Sequence, residues 1–133
     1  MKGLRSRITK GLTVGSVMYP CDNSGAKVVR IVGVKRSRTV KGRAPSAGVS
    51  DLVLVSVKKG RPDMRKQVVP AVIVRQKKEF RRADGTRVKF EDNSVVILKD
   101  EQGNPKGTLF KGAIAKEVTE RWPSVAKLAR IVV

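Results

Sequence analysis

Histidine is absent from this 133-residue chain, and cysteine occurs once, as Cys21. Without histidine the chain lacks the commonest general base and the commonest metal ligand. With a single cysteine it has neither an internal disulfide nor a Cys/His set for zinc, so no metal or cofactor is expected. One thiol suits a reducing compartment, and a cytoplasmic location is expected. Aromatic residues make up only 4%, which argues against a surface built for base stacking. No apolar run approaches the roughly 20 residues that span a bilayer. The basic start, MKGLRSRITKGL, is not followed by the apolar stretch of a secretory leader. No membrane partner is expected.

Acidic residues are the other scarcity. Eleven Asp and Glu face thirty Lys and Arg, for a net charge of +19. Such a charge repels itself and opposes compaction unless an anion neutralises it. It is also unevenly spread. Residues 1–89 carry 23 basic and 5 acidic side chains, whereas residues 90–133 carry 7 and 6. The positive field therefore belongs to the first two-thirds, and the last third has the balance of an ordinary surface. Hydrophobic residues reach 40%, enough for one core. With few aromatics, that core must be built mainly from Val, Ile, Leu and Ala, and β-branched residues favour strands. The length suits one domain over 1–133.

Strand-like runs recur along the chain. After a basic arm over 1–12, TVGSVMY (13–19) and KVVRIVGV (27–34) flank the turn formers Pro20 to Gly25. Val28, Arg30, Val32 and Val34 share one face of the second run, and Val29, Ile31 and Gly33 the other. KRSRTVKGRAPSAG (35–48) reads as a projecting loop or ribbon. DLVLVSVKK (51–59) and VVPAVIVRQ (68–76) are strands around a basic loop, 60–67, and SVVILK (94–99) is a fifth. Between the last two, VRQKKEFRRADGTRVKF (74–90) predicts a hairpin. A three-residue loop, Ala83-Asp84-Gly85 with Gly85 at positive φ, pairs Phe80 with Val88 and Glu79 with Lys89. It also opposes Arg81 to Arg87, a repulsion that a bound phosphate would relieve. Helix is confined to 112–133. GAIAKEVTERW (112–122) places Ile114, Ala115 and Val118 on one helical face. Pro123 should stop that helix, and Ser124 should cap a second short one. The sum is a mainly β fold: a small five-stranded β-barrel with a projecting hairpin and two short C-terminal helices.

Catalysis has no foothold. Ser24 lacks a GxSxG setting, and Asp22, Asp63 and Asp84 lie in turns, where they have ordinary structural work. No Gly-rich phosphate loop occurs. The chain is not expected to be an enzyme. Cys21 reads as a small buried or turn residue, and Tyr19 and Phe80 as core. Three basic clusters remain: Lys35, Arg36, Arg38, Lys41 and Arg43; Lys58, Lys59, Arg61, Arg65 and Lys66; Arg75, Lys77, Lys78, Arg81, Arg82, Arg87 and Lys89. A single charge run is usually a solvated face. Three runs of one sign with little acid between them point to nucleic acid. Since aromatics do not accompany them, recognition of the backbone and shape of folded RNA fits better than stacking. The near-neutral last third, with Glu117, Glu120, Arg121 and Trp122, is left for protein contact, although Trp122 before Pro123 reads first as a packing anchor.

AVIVRQKKEFRRADGTRVKFEDNSVVIL (71–98) resembles the large-ribosomal-subunit protein fourteen family, in which an apolar run is followed at fixed spacing by Asp-Gly, an aromatic, Asn and a Val pair. Here these are Ala71 to Val74, Asp84, Gly85, Phe90, Asn93, Val96 and Ile97. DNSGAKVV (22–29) matches the early turn and GVSDLVLVSVKK (48–59) the middle strand. The basic N-terminus and the long 35–48 loop are similar to the archaeal or eukaryotic branch. The resemblance implies a five-stranded barrel with a ribbon and two small helices. It also implies binding to large-subunit ribosomal RNA, neighbouring large-subunit proteins and a bridge to small-subunit ribosomal RNA. An anti-association factor would be recognised near the C-terminal part. A different class of reading is a free-standing single-stranded nucleic-acid binder or RNA chaperone on an oligonucleotide-binding (OB-like) barrel, which would require stacking aromatics on open strands.

Overall fold

Every residue of Ala71-Val72-Ile73-Val74 and of Val95-Val96-Ile97-Leu98 is apolar, and all eight are buried. Successive side chains of a strand point to opposite faces, so these two strands must be covered on both sides. The computed structural model, which describes residues 3–37 and 39–133, shows how. Its strands are β1 (Leu12–Thr13), β2 (Val17–Pro20), β3 (Ala26–Val34), β4 (Ser46–Ala47), β5 (Leu52–Gly60), β6 (Val68–Arg75), β7 (Phe80–Arg81), β8 (Arg87–Val88), β9 (Ser94–Ile97), β10 (Ala113–Ile114) and β11 (Ile131–Val132). Two short helices, α1 (Lys116–Arg121) and α2 (Pro123–Leu128), precede β11.

Strands β2, β3, β5, β6 and β9 close into a barrel in that order. All neighbours are antiparallel except β2 and β9, which run parallel through Tyr19 opposite Ser94 and Pro20 opposite Val95. Met18, Val29, Ile31, Val53, Val55, Ile73, Val95 and Ile97 fill the interior. The alternate residues Val72, Val74, Val96 and Leu98 feed a second core on the outside of the wall, closed by Phe80, Phe110, Ile114, Val118, Trp122 and Val125. The C-terminal third and the hairpin are thus a lid on one side of the barrel. The β2–β3 side has no such lid, and Val32 stays 48% exposed there.

The hairpin has the register its sequence implies: Phe80 opposite Val88, Arg81 opposite Arg87, and Gly85 at φ 92°. Asp84 fastens the turn by accepting hydrogen bonds from Thr86 N (3.0 Å) and Oγ1 (2.7 Å). The expected Glu79–Lys89 pair is not formed. Glu79 instead takes Arg87 at 3.0 Å, which relieves the Arg81–Arg87 repulsion without a phosphate.

Helix boundaries also differ from expectation. Ala113–Ile114 is a strand, parallel to β11, and the first helix begins only at Lys116. Ile114 and Ala115 are buried, but by extended backbone. Pro123 does not merely end α1; it occupies the first turn of α2, where its missing N–H is harmless. Trp122, not Ser124, stands at the cap position, and no side chain caps the helix. In the other predicted ribbon, residues 35–45 form no strand among the described positions, and only Ser46–Ala47 pairs back, onto Leu12–Thr13.

Two tests follow. Ile97→Ala and Leu98→Ala, which empty opposite cores, should each lower stability by about 2–5 kcal/mol in urea denaturation, while the exposed Leu4→Ala stays within about 0.5 kcal/mol. A neutral Leu98→Ala would remove the second core from the folding unit. The bonds from Thr86 hold the Asp84 carboxyl below its ordinary range. Its contribution is therefore complete above the unfolded carboxylate value and is lost as pH falls through the depressed one. Nuclear magnetic resonance of the Thr86 amide should follow this loss, and Asp84→Asn should abolish its pH dependence.

Candidate nucleic-acid interface

Strand register distributes the three basic clusters over two ends of the barrel. Lys35 N donates to Leu52 O at the start of β5, and Arg75 lies three residues beyond Val72, the partner of Leu52. The first and third clusters therefore share one end. Lys58 and Lys59 close β5 at the other, beside the turn holding Arg61, Arg65 and Lys66. Nine residues separate the ends along β5, about 26 Å of strand. At the second end, Gly25 (φ 103°) lies under Arg61, where a Cβ would meet the guanidinium. Arg61 donates through Nη2 to Ser24 O at 2.9 Å, so its head is held over the turn.

Not all of these cations are available. Arg75 is mostly buried; it pairs with Asp92 at 2.9 Å and donates to Lys111 O and Ala113 O, tying the last third to the barrel. Arg82 pairs with buried Glu117 at 2.8 Å and also donates to Val133 O. These two arginines are structural fasteners, contrary to the expectation that they face RNA. Lys35 meets Glu101 at 2.7 Å and Arg87 meets Glu79, both near the surface. Exposed pairs of that kind are worth little and can be exchanged for a phosphate. Arg36, Lys41, Arg43, Lys58, Lys59, Arg65, Lys66, Lys77, Lys78, Arg81 and Lys89 are exposed and have no internal ion pair among the described residues. Arg38 lies outside the described residues.

The C-terminal group is corrected more sharply. Trp122 is fully buried, and its Nε1 donates to Ser50 O at 2.9 Å. Arg121, also buried, donates to the same carbonyl, lies 3.6 Å from Asp51 and sits over the Trp122 ring at 5.0 Å. Burial pushes the Arg121 guanidinium down from its ordinary value, and the Asp51 carboxylate opposes that shift. Glu117 is buried against Arg82. Of Glu117, Glu120, Arg121 and Trp122, only Glu120 offers its side chain to a partner. It lines a cleft of about 760 Å³ with Arg7, Arg81, Asp84 and Lys116.

Buried polar side chains keep the basic stems still. Gln76 accepts from Val49 N and donates to Thr9 O and Lys78 O, joining the N-terminal arm to the hairpin stem. Arg5 of the arm pairs with Asp51 at 2.9 Å. Asn93 accepts from Lys77 N at 2.8 Å. Asp22 accepts from Ile97 N and from Ser24 N and Oγ, and burial pushes its carboxyl up from the ordinary range while those bonds resist. Asn23 accepts from Thr108 N and Leu109 N.

Sequence reasoning missed Arg5 as a fastener, since one basic residue in a basic arm looks like any other. It also missed the outward pair Tyr19 and Arg30. Tyr19, expected in the core, is 54% exposed, because the buried position of β2 is Met18. Strict alternation from Met18 was the available signal.

Comparison with known proteins agrees with this geometry. The family model described as "Ribosomal protein L14p/L23e" matches residues 11–133. The large ribosomal subunit protein uL14 of Nanoarchaeum equitans is 56% identical over 133 residues, covering all of both chains. The protein of the same name from Methanococcus vannielii is 55% identical over 132 residues, 99% of each chain. That of Methanothrix thermoacetophila is 52% identical over 133 residues, all of both chains. A barrel with a basic hairpin, cations at both ends and a C-terminal lid, matched over nearly its whole length by archaeal relatives, belongs to the ribosomal protein L14p/L23e family, a structural and non-enzymatic family, in its archaeal branch.

Proposed function

We propose that this chain, a structural constituent of the large ribosomal subunit and so a protein of the cytoplasm, holds large-subunit ribosomal RNA through the exposed cations at the two ends of its barrel. The observation that carries the proposal is how the charges are partitioned. Among the described residues, nine of the eleven carboxylates are engaged within the fold, all but Glu91 and Glu120, and still leave eleven exposed Lys and Arg of the three clusters without an ion pair. Phosphates spaced along RNA satisfy such an excess, and rigid stems set about 26 Å apart let two RNA segments be fixed against each other. Arg forks take phosphate oxygens in pairs, and Lys adds mobile charge.

The same reading places the C-terminal third at the face that meets the small subunit. Neighbouring large-subunit proteins and small-subunit ribosomal RNA at a bridge are its partners there, and an anti-association factor has its target on that side. Near-neutral charge supports this division. So does the cleft beside Glu120, where acidic and basic side chains are mixed. A free-standing single-strand binder would need several rings on open strands. Phe80, Phe110 and Trp122 are buried, so the fold does not favour that reading.

Arg81→Gln and Lys78→Gln should each weaken RNA binding and flatten its dependence on salt by roughly one unit of slope, without lowering thermal stability. Arg82→Gln should do the reverse, costing about 3 kcal/mol of stability by stranding Glu117. An unchanged slope in the first pair would mean that those side chains face water. Glu120→Lys should leave incorporation into large subunits intact but shift subunit joining in sucrose-gradient sedimentation. Loss of incorporation would refute the division between the two regions.

A further inference from the structure

The lidless side of the barrel carries the one widely exposed ring of the molecule. Phe80, Phe110 and Trp122 are at most 2% exposed and Phe90 packs against Phe80, whereas Tyr19 is 54% exposed. Its backbone is fixed to the start of β9 through both polar groups: Tyr19 N donates to Asn93 O at 3.1 Å, and Tyr19 O accepts from Ser94 Oγ at 2.8 Å. A rigid tyrosine offers contact area at low entropic cost. Val17, its same-face neighbour on β2, pairs with Arg30, so exposed Arg30 sits diagonally across from Tyr19. On the other flank, Asn93 bonds both Tyr19 N and the backbone of exposed Lys77. The ring therefore has Arg30 on one flank and the backbone of Lys77, whose side chain is exposed, on the other. None of the five barrel strands contains Asp or Glu. An exposed ring beside a cation, on a wall whose strands carry no carboxylate and whose neighbouring Asp92 is spent on Arg75, matches a nucleotide with its flat base and its phosphates.

We propose that Tyr19 is a stacking platform for an unpaired RNA base, with Arg30 and Lys77 taking the adjoining phosphates. The proposal rests on the RNA-binding reading and adds to it a contact with a single-stranded nucleotide on the barrel wall, at the edge of the third basic cluster. The hydroxyl is not required; the ring is.

The test uses the full chain with a fluorescent single-stranded RNA 12-mer and a duplex RNA of the same length. The chain has one tyrosine and one tryptophan, so tyrosine emission, measured as the difference between excitation of both rings and of Trp122 alone, reports on this site. The 12-mer should quench that emission. Tyr19→Phe should keep its affinity within about twofold. Tyr19→Leu should bind it roughly 10-fold more weakly, with duplex affinity and salt slope unchanged. Equal 12-mer affinity for Tyr19→Leu and wild type, with unquenched tyrosine and salt-dependent RNA binding intact, overturns the platform and leaves the RNA-binding reading standing. If Tyr19→Leu loses a protein neighbour from the assembled subunit while 12-mer affinity stays the same, the ring docks protein and the platform is likewise overturned. A wild-type chain that binds neither RNA overturns both readings.

Discussion

Self-repulsion among cations is the constraint that shapes this molecule. A chain with a net charge of +19 can stay folded only if apolar burial and a few well-placed carboxylates outweigh the repulsion. The burial comes from making two barrel strands serve twice. Because β6 and β9 are apolar on both faces, one short stretch of chain anchors the barrel interior and the C-terminal lid together. The carboxylates act as fasteners. Asp51 holds the N-terminal arm and Arg121, Asp92 holds Arg75, and Glu117 holds Arg82. What remains outside is predominantly positive.

This economy explains why charge type alone is a poor guide to role. Arg81 and Arg82 are adjacent in sequence, and both lie in a basic cluster. One is exposed; the other is spent on Glu117 and Val133 O. A strand residue and its neighbour point opposite ways, so a run of like charges is split between solvent and the body as soon as the strand docks. Arg75 and Lys77 also divide, because β6 ends at Arg75 and Lys77 lies beyond it.

Much of the fold was legible because it is written in local patterns. Five apolar strands, the three-residue hairpin loop with Gly85 and a helical C-terminal part all follow from alternation and turn chemistry. The errors have a common cause. The helix was drawn back to Gly112 because Ile114, Ala115 and Val118 suit a helical face. Tertiary pairing with β11 instead pulled Ala113–Ile114 into a strand. Trp122 reads both as a packing anchor and, from its neutral surroundings, as a protein contact; the second core that buries it favours the anchor, but is assembled from residues far apart in sequence. The positions of the basic clusters were readable. Which members were already paired was not, since apart from Asp63, two residues from Arg61, the partners lie 8 to 66 residues away.

The double use of β6 and β9 also governs the order of events during synthesis. Val72, Val74, Val96 and Leu98 emerge long before Val118, Trp122 and Val125, which cover them. Until α2 has left the exit tunnel, a nascent chain carries an uncovered apolar stripe next to dense positive charge. That combination invites aggregation with polyanions, so the interval before the last residues close the second core is when this chain is most exposed to it.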